Sequence, residues 1–289
     1  MKKIIILIPV FNDWESLKKL LKEINNNIKN MKKIAISCLV VNDASTIKQP
    51  KLIKPKNIKS LRILNMKKNK GHARCNAFGI RYVHMNEKFD NLILMDGDGE
   101  DRPVEIKKLI NEIIYNPSQS VVAKRIKRSE GPFFQFLYLM HKLITYIFTG
   151  KKINFGNYSC LTASDVKVLS AKPSLWSSYS GTVKRYLKNL SKVDSIRGSR
   201  YFGPSKMSLF KLLIHSFSII AVFKYKVLLR SIILILVIYF LNVAFFINFF
   251  SLITLVLFNL IIFIVSLREN KNDLFNSQEN LKNIKKITH

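Results

Sequence analysis

The chain has 289 residues and carries 48 Lys and Arg against 18 Asp and Glu, a formal net charge of +30. That length allows one large domain or two modest ones, and the charge points to an anionic partner: nucleic acid, anionic lipid or a phosphorylated substrate. Nucleic acid is disfavoured, because the sequence shows no zinc-finger spacing, RNP-like aromatic pattern or helix-turn-helix signal.

In chain order, residues 4–11 are strand-like. The apolar run is short, Pro9 interrupts it, and Asn12-Asp13-Trp14-Glu15 follows in place of a small-residue cleavage site. A buried first strand therefore fits better than a signal peptide. Residues 14–30 set Leu17, Leu20, Leu21, Ile24 and Ile28 at helical spacing. Residues 34–41 form a second apolar strand ending in Asn42-Asp43-Ala44-Ser45, and 61–65 a shorter third. Residues 71–85 read as a helix with Ala73, Ala77, Ile80 and Val83 on one side. Residues 92–95 are the fourth strand, and 103–115 a helix begun by Pro103, where proline is tolerated. The three cysteines, Cys38, Cys75 and Cys160, are widely spaced and fit reduced thiols in a cytosolic domain.

Strands alternating with helices predict an α/β fold with a mostly parallel sheet covered on both faces. In such sheets ligands sit beyond the carboxyl ends of the strands. Asn12-Asp13, Asn42-Asp43 and residues 96–101 all fall there. No Gly-rich fingerprint follows the first strand, which argues against a dinucleotide oxidoreductase. No Gly-Lys-Ser/Thr loop is present, which argues against a P-loop nucleotidase.

The stretch after the fourth strand carries the chemistry. Asp96, Asp98, Glu100 and Asp101 crowd into six positions, and Gly97 and Gly99 let the backbone turn tightly and approach a ligand. Hard oxygen ligands at Asp96, Asp98 and Glu100 suit Mg²⁺ or Mn²⁺, ions that bridge the oxygens of a diphosphate. The plainer reading is a solvated polar turn.

Residues 121–128 are basic, with Lys124, Arg125, Lys127 and Arg128. Residues 133–148 are aromatic and apolar around His141 and Lys142, which suits either a core helix or one lying on a bilayer edge. Residues 206–230 mix Leu, Ile and Phe with Lys206, Lys211, Lys224, Lys226 and Arg230, as an interfacial helix does. From 231 to 267 there is no charged residue, and Arg230 and Arg268 bracket the segment. That predicts two membrane-crossing helices, about 230–247 and 251–267, with both outer ends in the cytoplasm. Four regions result: a catalytic domain over 1–207, amphipathic interfacial helices over 208–229, a transmembrane hairpin over 230–267, and a mobile polar cytoplasmic tail over 268–289.

The opening Ile-Leu-Ile-Pro-Val-Phe-Asn-Asp, then Leu-Val-Val-Asn-Asp-Ala-Ser, Asn69-Lys-Gly-His-Ala-Arg-Cys-Asn-Ala-Phe-Gly-Ile80 and Met-Asp-Gly-Asp-Gly-Glu-Asp-Arg-Pro together resemble family 2 glycosyltransferases of the GT-A fold. Arg200-Tyr-Phe-Gly-Pro-Ser-Lys206-Met is similar to the Arg…Gly-x-Ser-Lys segment of the dolichyl- and polyprenyl-phosphate sugar transferases. The resemblance covers about residues 3–267. It implies a membrane-bound inverting enzyme that takes a UDP- or GDP-linked sugar to a polyprenyl phosphate for the cell envelope. It also implies a multi-pass inner or plasma membrane location, and a homo-oligomer is compatible with it.

Position by position, it implies that Pro9, Phe11 and Asp13 line the nucleotide pocket and Asp43 contacts base or ribose. Asp96 and Asp98 match Asp-x-Asp, with Asp98 the closer metal ligand, Gly97 between them, and Glu100 where relatives often place Gln. Arg200 and Lys206 match cations that hold donor diphosphate and acceptor phosphate, and Arg125 matches a basic position after the fifth strand. Asn42 replaces the usual first Asp of Asp-Asp-x-Ser, Phe11 replaces Tyr, and Gly156-Asn157-Tyr158-Ser159 replaces a Gly-Phe-Arg-like acceptor loop. These departures bear on the acceptor and the sugar rather than the chemistry.

A lipid phosphate is already ionised near pH 7 and needs no general base, whereas a hydroxyl of a glycolipid or polysaccharide needs one, with Asp101 or Asp165 as candidates. A degenerate transferase fold serving as a membrane scaffold is the non-enzymatic alternative. The intact Asp96 and Asp98 argue against it.

Overall fold

The structure is a computed structural model that describes residues 1–31, 33–127, 132–204, 208–241 and 245–288. Lys206 and Arg128 lie outside the described residues.

The N-terminal run of isoleucines forms β1 (Lys2–Val10), and Ile4 to Ile8 are buried on both faces, as a central strand of β-branched residues should be. α1 (Trp14–Ile28) buries Trp14, Leu17, Leu20, Leu21, Ile24 and Ile28, one face of a helix. β2 (Ile34–Asn42), β3 (Leu61–Met66), α2 (His72–Asn86), β4 (Asn91–Leu94) and α3 (Ile106–Tyr115) follow within a few residues of their expected bounds. Next come β5 (Ser120–Lys127), α4 (Pro132–Thr149), β6 (Phe155–Thr162), α5 (Ala163–Ser170), α6 (Tyr179–Tyr186) and β7 (Leu190–Ile196). The chain ends with α7 (Leu209–Ala221), α8 (Lys224–Phe240), α9 (Phe245–Ser266), α10 (Lys271–Phe275) and β8 (Leu281–Ile287).

All eight strands form one sheet in the order β7-β5-β6-β4-β1-β2-β3-β8. The pairs β1/β2, β1/β4, β2/β3 and β5/β7 are parallel, while β4/β6, β5/β6 and β3/β8 are antiparallel. Alternation along β1 divides the core. Ile5 and Leu7 pack toward α2, α5 and α6, and Ile4, Ile6 and Ile8 pack toward α1 and α3.

Two expectations change, and one left open is narrowed. Residues 268–288 are folded rather than a mobile tail: β8 pairs with β3 from Leu61↔Ile287 to Met66↔Leu281. An open β3 edge would leave unpaired backbone groups, and β8 covers them. The strand looks polar because Lys282, Lys285 and Lys286 face solvent and Ile287 alone is buried.

The break in the apolar segment does not fall at 248–251: α8 ends at Phe240 and α9 begins at Phe245, so the uncharged Asn248 and Ser251 sit inside α9. Among the described residues one helix, running through α9, is long and apolar enough to cross a membrane by length and composition. α8 has 17 residues and carries Lys224, Lys226 and Arg230 in its first half.

The reading left open concerned α4, a core helix or one at a bilayer edge: α4 lies in a helical layer apart from the sheet's core. Ile144 and Phe148 of α4 pack with Phe217, Ile220, Val227, Phe258 and Ile262 of α7–α9. The Phe148 and Phe258 rings are 4.4 Å apart. Phe136, Leu139, Leu143, Tyr146 and Ile147 of α4 are exposed.

Candidate active site

Loops after β1 and β2 are locked together at the carboxyl end of the sheet. Asn12 takes a left-handed conformation (φ 51°), and its Oδ1 accepts from the Thr46 and Ile47 N–H groups at 2.8 and 3.0 Å. Asn42 donates to Asn65 Oδ1 at 2.8 Å, and Asn65 donates to Asn283 Oδ1 at 2.7 Å. An amide ladder thus crosses β2, β3 and β8. Asp43 is buried, and its two carboxylate oxygens accept from the Lys70 and Gly71 N–H groups, both at 2.8 Å. Burial raises its pKa and those two backbone donors oppose the rise.

The acidic loop is packed against β1 and strapped by a later segment. A β-carbon at Gly97 would stand 2.9 Å from the Pro9 carbonyl oxygen, and one at Gly99 (φ +91°) would stand 2.5 Å from the Tyr201 ring. Only glycine fits either place. Glu100 N–H donates to Asp98 Oδ1 at 3.0 Å and Asp96 N–H to Asp101 Oδ2 at 3.0 Å. Arg200 donates to Asp98 Oδ2 at 2.6 Å and to Asp13 Oδ2 at 2.8 Å. Arg197 pairs with Glu100, the Gly198 N–H bonds the Glu100 carbonyl at 2.8 Å, and the Tyr201 N–H bonds the Asp98 carbonyl at 2.9 Å.

His72, at the start of α2, faces the loop from the other side. Its Nε2 lies 3.3 Å from Asp96 Oδ1 and 2.7 Å from the Asn157 amide, which itself reaches Asp96 at 3.3 Å. Burial opposes the charge on Asp96, but His72, Arg125 and Asn157 outweigh it and hold the carboxyl well below the usual range. Burial likewise opposes charge on His72, and the carboxylates of Asp96, Asp98 and Asp101 raise its pKa. Asp98 is pushed up to about 6 by burial and by the charges of Asp96 and Glu100. Asp101 is pushed up to about 7 by burial and by Asp96. Four carboxylates are thus held together by Arg200, Arg197, Arg125 and His72.

Residues 5–170, more than half of the chain, match the family profile described as glycosyl transferase family 2. The chain belongs to glycosyl transferase family 2. A curated relative of this family 2 glycosyltransferase is an uncharacterized protein of Methanocaldococcus jannaschii, 27% identical over 112 residues. That match covers 38% of this chain and 46% of the relative, so the chain spans under half of the relative's length. Among solved structures, glucosyl-3-phosphoglycerate synthase from Mycobacterium tuberculosis in complex with Mn²⁺, UDP-glucose and phosphoglyceric acid superposes with a TM-score of 0.52 at 13% identity, over 78% of this chain and 80% of that one. Its complex with Mn²⁺, UDP and phosphoglyceric acid gives 0.51 at 12% identity, over 78% of each chain. At that identity the likeness is one of fold, the GT-A arrangement of a mixed α/β sheet.

Of the expected residues, the structure brings together Asp13, Asp96, Gly97, Asp98 and Arg125 of the matched region with Arg200 beyond it. Arg125 lies against Gly156, and its charge acts on Asp96 and Asp101. Pro9 meets the loop through its carbonyl, and Phe11 is exposed beside it. Two expected residues are engaged elsewhere. Asp43 accepts from the backbone at the turn into α2, and Glu100 pairs with Arg197.

Among the described residues no three His, Cys, Asp or Glu side chains converge on a metal ion. Asp96 and Asp98 still fit Mg²⁺ or Mn²⁺, because Mg²⁺ is held by one or two carboxylates plus substrate phosphates rather than by an all-protein cage. The excess negative charge that raises Asp98 is what a cation relieves. The sequence reading missed His72, although it lay in the quoted Asn69–Ile80 motif, because a lone histidine at a helix start has no spacing signal. It named Asn157 only as part of a departure from the acceptor loop, and it missed Arg197, which follows β7 and meets Glu100 only through the sheet's pairing.

Proposed function

We propose that the protein is a membrane-bound inverting glycosyltransferase that moves a sugar from a nucleotide-sugar donor to a polyprenyl phosphate, at the cytoplasmic face of the cell membrane. The observation that carries the reading is the interleaving of Asp96 and Asp98 with Arg200, Arg125 and His72 at the carboxyl end of β4. Such an arrangement accommodates a diphosphate together with the divalent ion that accompanies it. The complexes of the fold's neighbour with Mn²⁺ and UDP or UDP-glucose support the same class of donor here.

Asp96 and Asp98 would hold a divalent ion, which would supply charge neutralisation for the diphosphate. Arg200 and Arg125 add fixed positive charge in the same place. The acceptor's phosphate oxygen forms a bond to the anomeric carbon as the bond from that carbon to the diphosphate oxygen breaks. The electron pair leaves with the nucleoside diphosphate, and attack from the opposite face inverts the centre. No proton has to be removed.

A lipid acceptor is supported by what adjoins the site. Gly181 of α6 packs against Val222 and the Ile219 carbonyl at the end of α7, so the apolar helical layer adjoins the domain that holds the acidic loop. Leu209, Phe210, Leu229, Ile233, Leu236 and Phe240 are among many exposed apolar residues of α7 and α8, far more than a water-facing surface of a monomer carries. The hydroxyl-acceptor alternative loses one of its candidate bases. Asp165 accepts from Ser120 Oγ at 2.5 Å at the amino end of β5, and antiparallel β6 carries it to the sheet end opposite Asp96. Lys206 keeps its expected role toward the acceptor phosphate on the sequence resemblance alone.

The test is to incubate membranes containing the protein with radiolabelled nucleotide sugars and undecaprenyl phosphate. Label that enters the organic phase with one donor supports the reading. Donor hydrolysis or polymer labelling without lipid product contradicts it.

A further inference from the structure

Resting on the membrane reading above, we propose that the α8–α9 hairpin enters the bilayer from the catalytic domain's side, turns within it and leaves by the same face, penetrating about one leaflet without crossing.

The first observation is the return of the chain. β8 pairs with β3 in the same sheet that holds β1 and β4, so whatever α8 carries into the membrane α9 must bring back. The two helices run antiparallel, with Lys224 Nζ at the base of α8 reaching Ser266 Oγ at the end of α9, 3.4 Å away.

A second set of contacts marks the level of the membrane surface. Arg230 donates to the Ile147 carbonyl at 2.8 Å and lies against Gly150, capping the carboxyl end of α4. Lys151 and Lys152 follow directly in the chain, and the charge of Lys151 acts on Lys184 of α6, in the catalytic domain. Three cations and a set of helix-end carbonyls therefore stand at one height, beside the domain. Cations and unpaired backbone carbonyls favour the headgroup region over hydrocarbon.

Lengths then decide the depth. From Arg230 to Phe240, where α8 ends, the helical rise gives about 15 Å. On α9, Phe258 is still held by Phe148 and Phe217, and from it to the start of the helix at Phe245 the rise is about 20 Å. The hydrocarbon core is about 30 Å thick, so the hairpin spans roughly half of it. α9 alone is long enough to cross, but only by drawing Arg230, Lys151, Lys152 and the end of α4 into the hydrocarbon with it. Outward-facing Ile232, Ile233, Leu236 and Val237 of α8 and Leu252, Val256 and Leu257 of α9 are exposed on the part that enters, as lipid contact requires.

The experiment uses the full chain in phosphatidylcholine–phosphatidylglycerol vesicles with the catalytic domain outside. The native cysteines are buried, so single substitutions Leu241→Cys, Ser251→Cys and Lys152→Cys report their own positions. Membrane-impermeant maleimide is added outside or trapped inside, and nitroxides at the same positions are tested against oxygen and a water-soluble nickel chelate. Expected are outside labelling of Lys152→Cys, no labelling of Leu241→Cys or Ser251→Cys from either side, and nitroxides at both reached by oxygen but not nickel. Labelling of Leu241→Cys by maleimide trapped inside overturns the inference and leaves the membrane reading intact. Protein that fails to float with the vesicles overturns both.

Discussion

Arg200 joins two carboxylates that come from different strands, donating to Asp98 at 2.6 Å and to Asp13 at 2.8 Å. Its guanidinium ties the loop after β1 to the acidic loop after β4, from a position about a hundred residues later in the chain. All three side chains are less than one-fifth exposed, so the pair is shielded from solvent more than a surface ion pair is.

Removing one partner of such a hydrogen-bonded charge pair costs on the order of 2–5 kcal/mol, which corresponds to roughly thirtyfold to several thousandfold in rate if the pair acts in the transition state. Arg200→Ala should therefore lower turnover by that range while circular dichroism shows a folded protein. Arg200→Lys should recover only part of it, because one ammonium cannot span both carboxylates as the planar fork does. Wild-type turnover in Arg200→Ala would remove the residue from the site.

Asp98→Asn keeps the shape of the loop and the backbone bond from Glu100 but removes the charge that a divalent ion needs. The variant should stay folded and lose metal-dependent turnover, and Mn²⁺ titration followed by electron paramagnetic resonance should show weakened binding. Full activity in the variant, or undiminished wild-type activity in EDTA, would contradict the assignment of Asp96 and Asp98.

The first half of the fold was legible because its strands are continuous apolar runs and its helices repeat on a single face, as Ile4–Ile8 and Leu17–Ile28 show. The acidic loop was legible from local composition. What escaped was set by distant pairing. β8 is lysine-rich and nearly all exposed, so nothing in its own sequence marks it as a strand until β3 offers an edge. Glu100 looked like a third metal ligand because its neighbours are carboxylates, and only the return of the chain at Arg197 turns it away. The hairpin break was placed at Asn248 because polar residues suggest turns, yet an uncharged amide inside an apolar helix bonds within the helix or its neighbours and need not interrupt it.

The amide ladder makes the C-terminal strand part of the domain. Asn283→Ala removes one acceptor for Asn65 and should lower stability by about 1 kcal/mol, read as a lowered denaturation midpoint. Deleting residues 281–289 should do far more, exposing the β3 edge and driving aggregation of the catalytic domain. A truncated protein as soluble and active as the full chain would show that β8 is dispensable.

His215 supplies a pH test. Burial, with the positive charges of His72, His141 and Arg125, pushes its pKa down to about 4 from the ordinary 6.5. The folded state thus binds fewer protons there than the unfolded state between those values, so this residue costs stability as pH falls from 6.5 to 4 and costs nothing above. His215→Gln should lose less of its melting temperature between pH 7 and pH 4.5 than the wild type, measured in the same detergent. An equal loss in both proteins would show that His215 is not held neutral.

The central claim is that a sugar is transferred to an ionised lipid phosphate beside Asp96, Asp98 and Arg200. Its most direct measurement offers the enzyme, with its preferred nucleotide sugar and Mn²⁺, either polyprenyl phosphate or the free polyprenol of the same chain length. Expected are a lipid-linked sugar phosphate from the first and no product from the second, because the site presents cations to an acceptor oxygen that is already ionised. Equal use of the alcohol would contradict it.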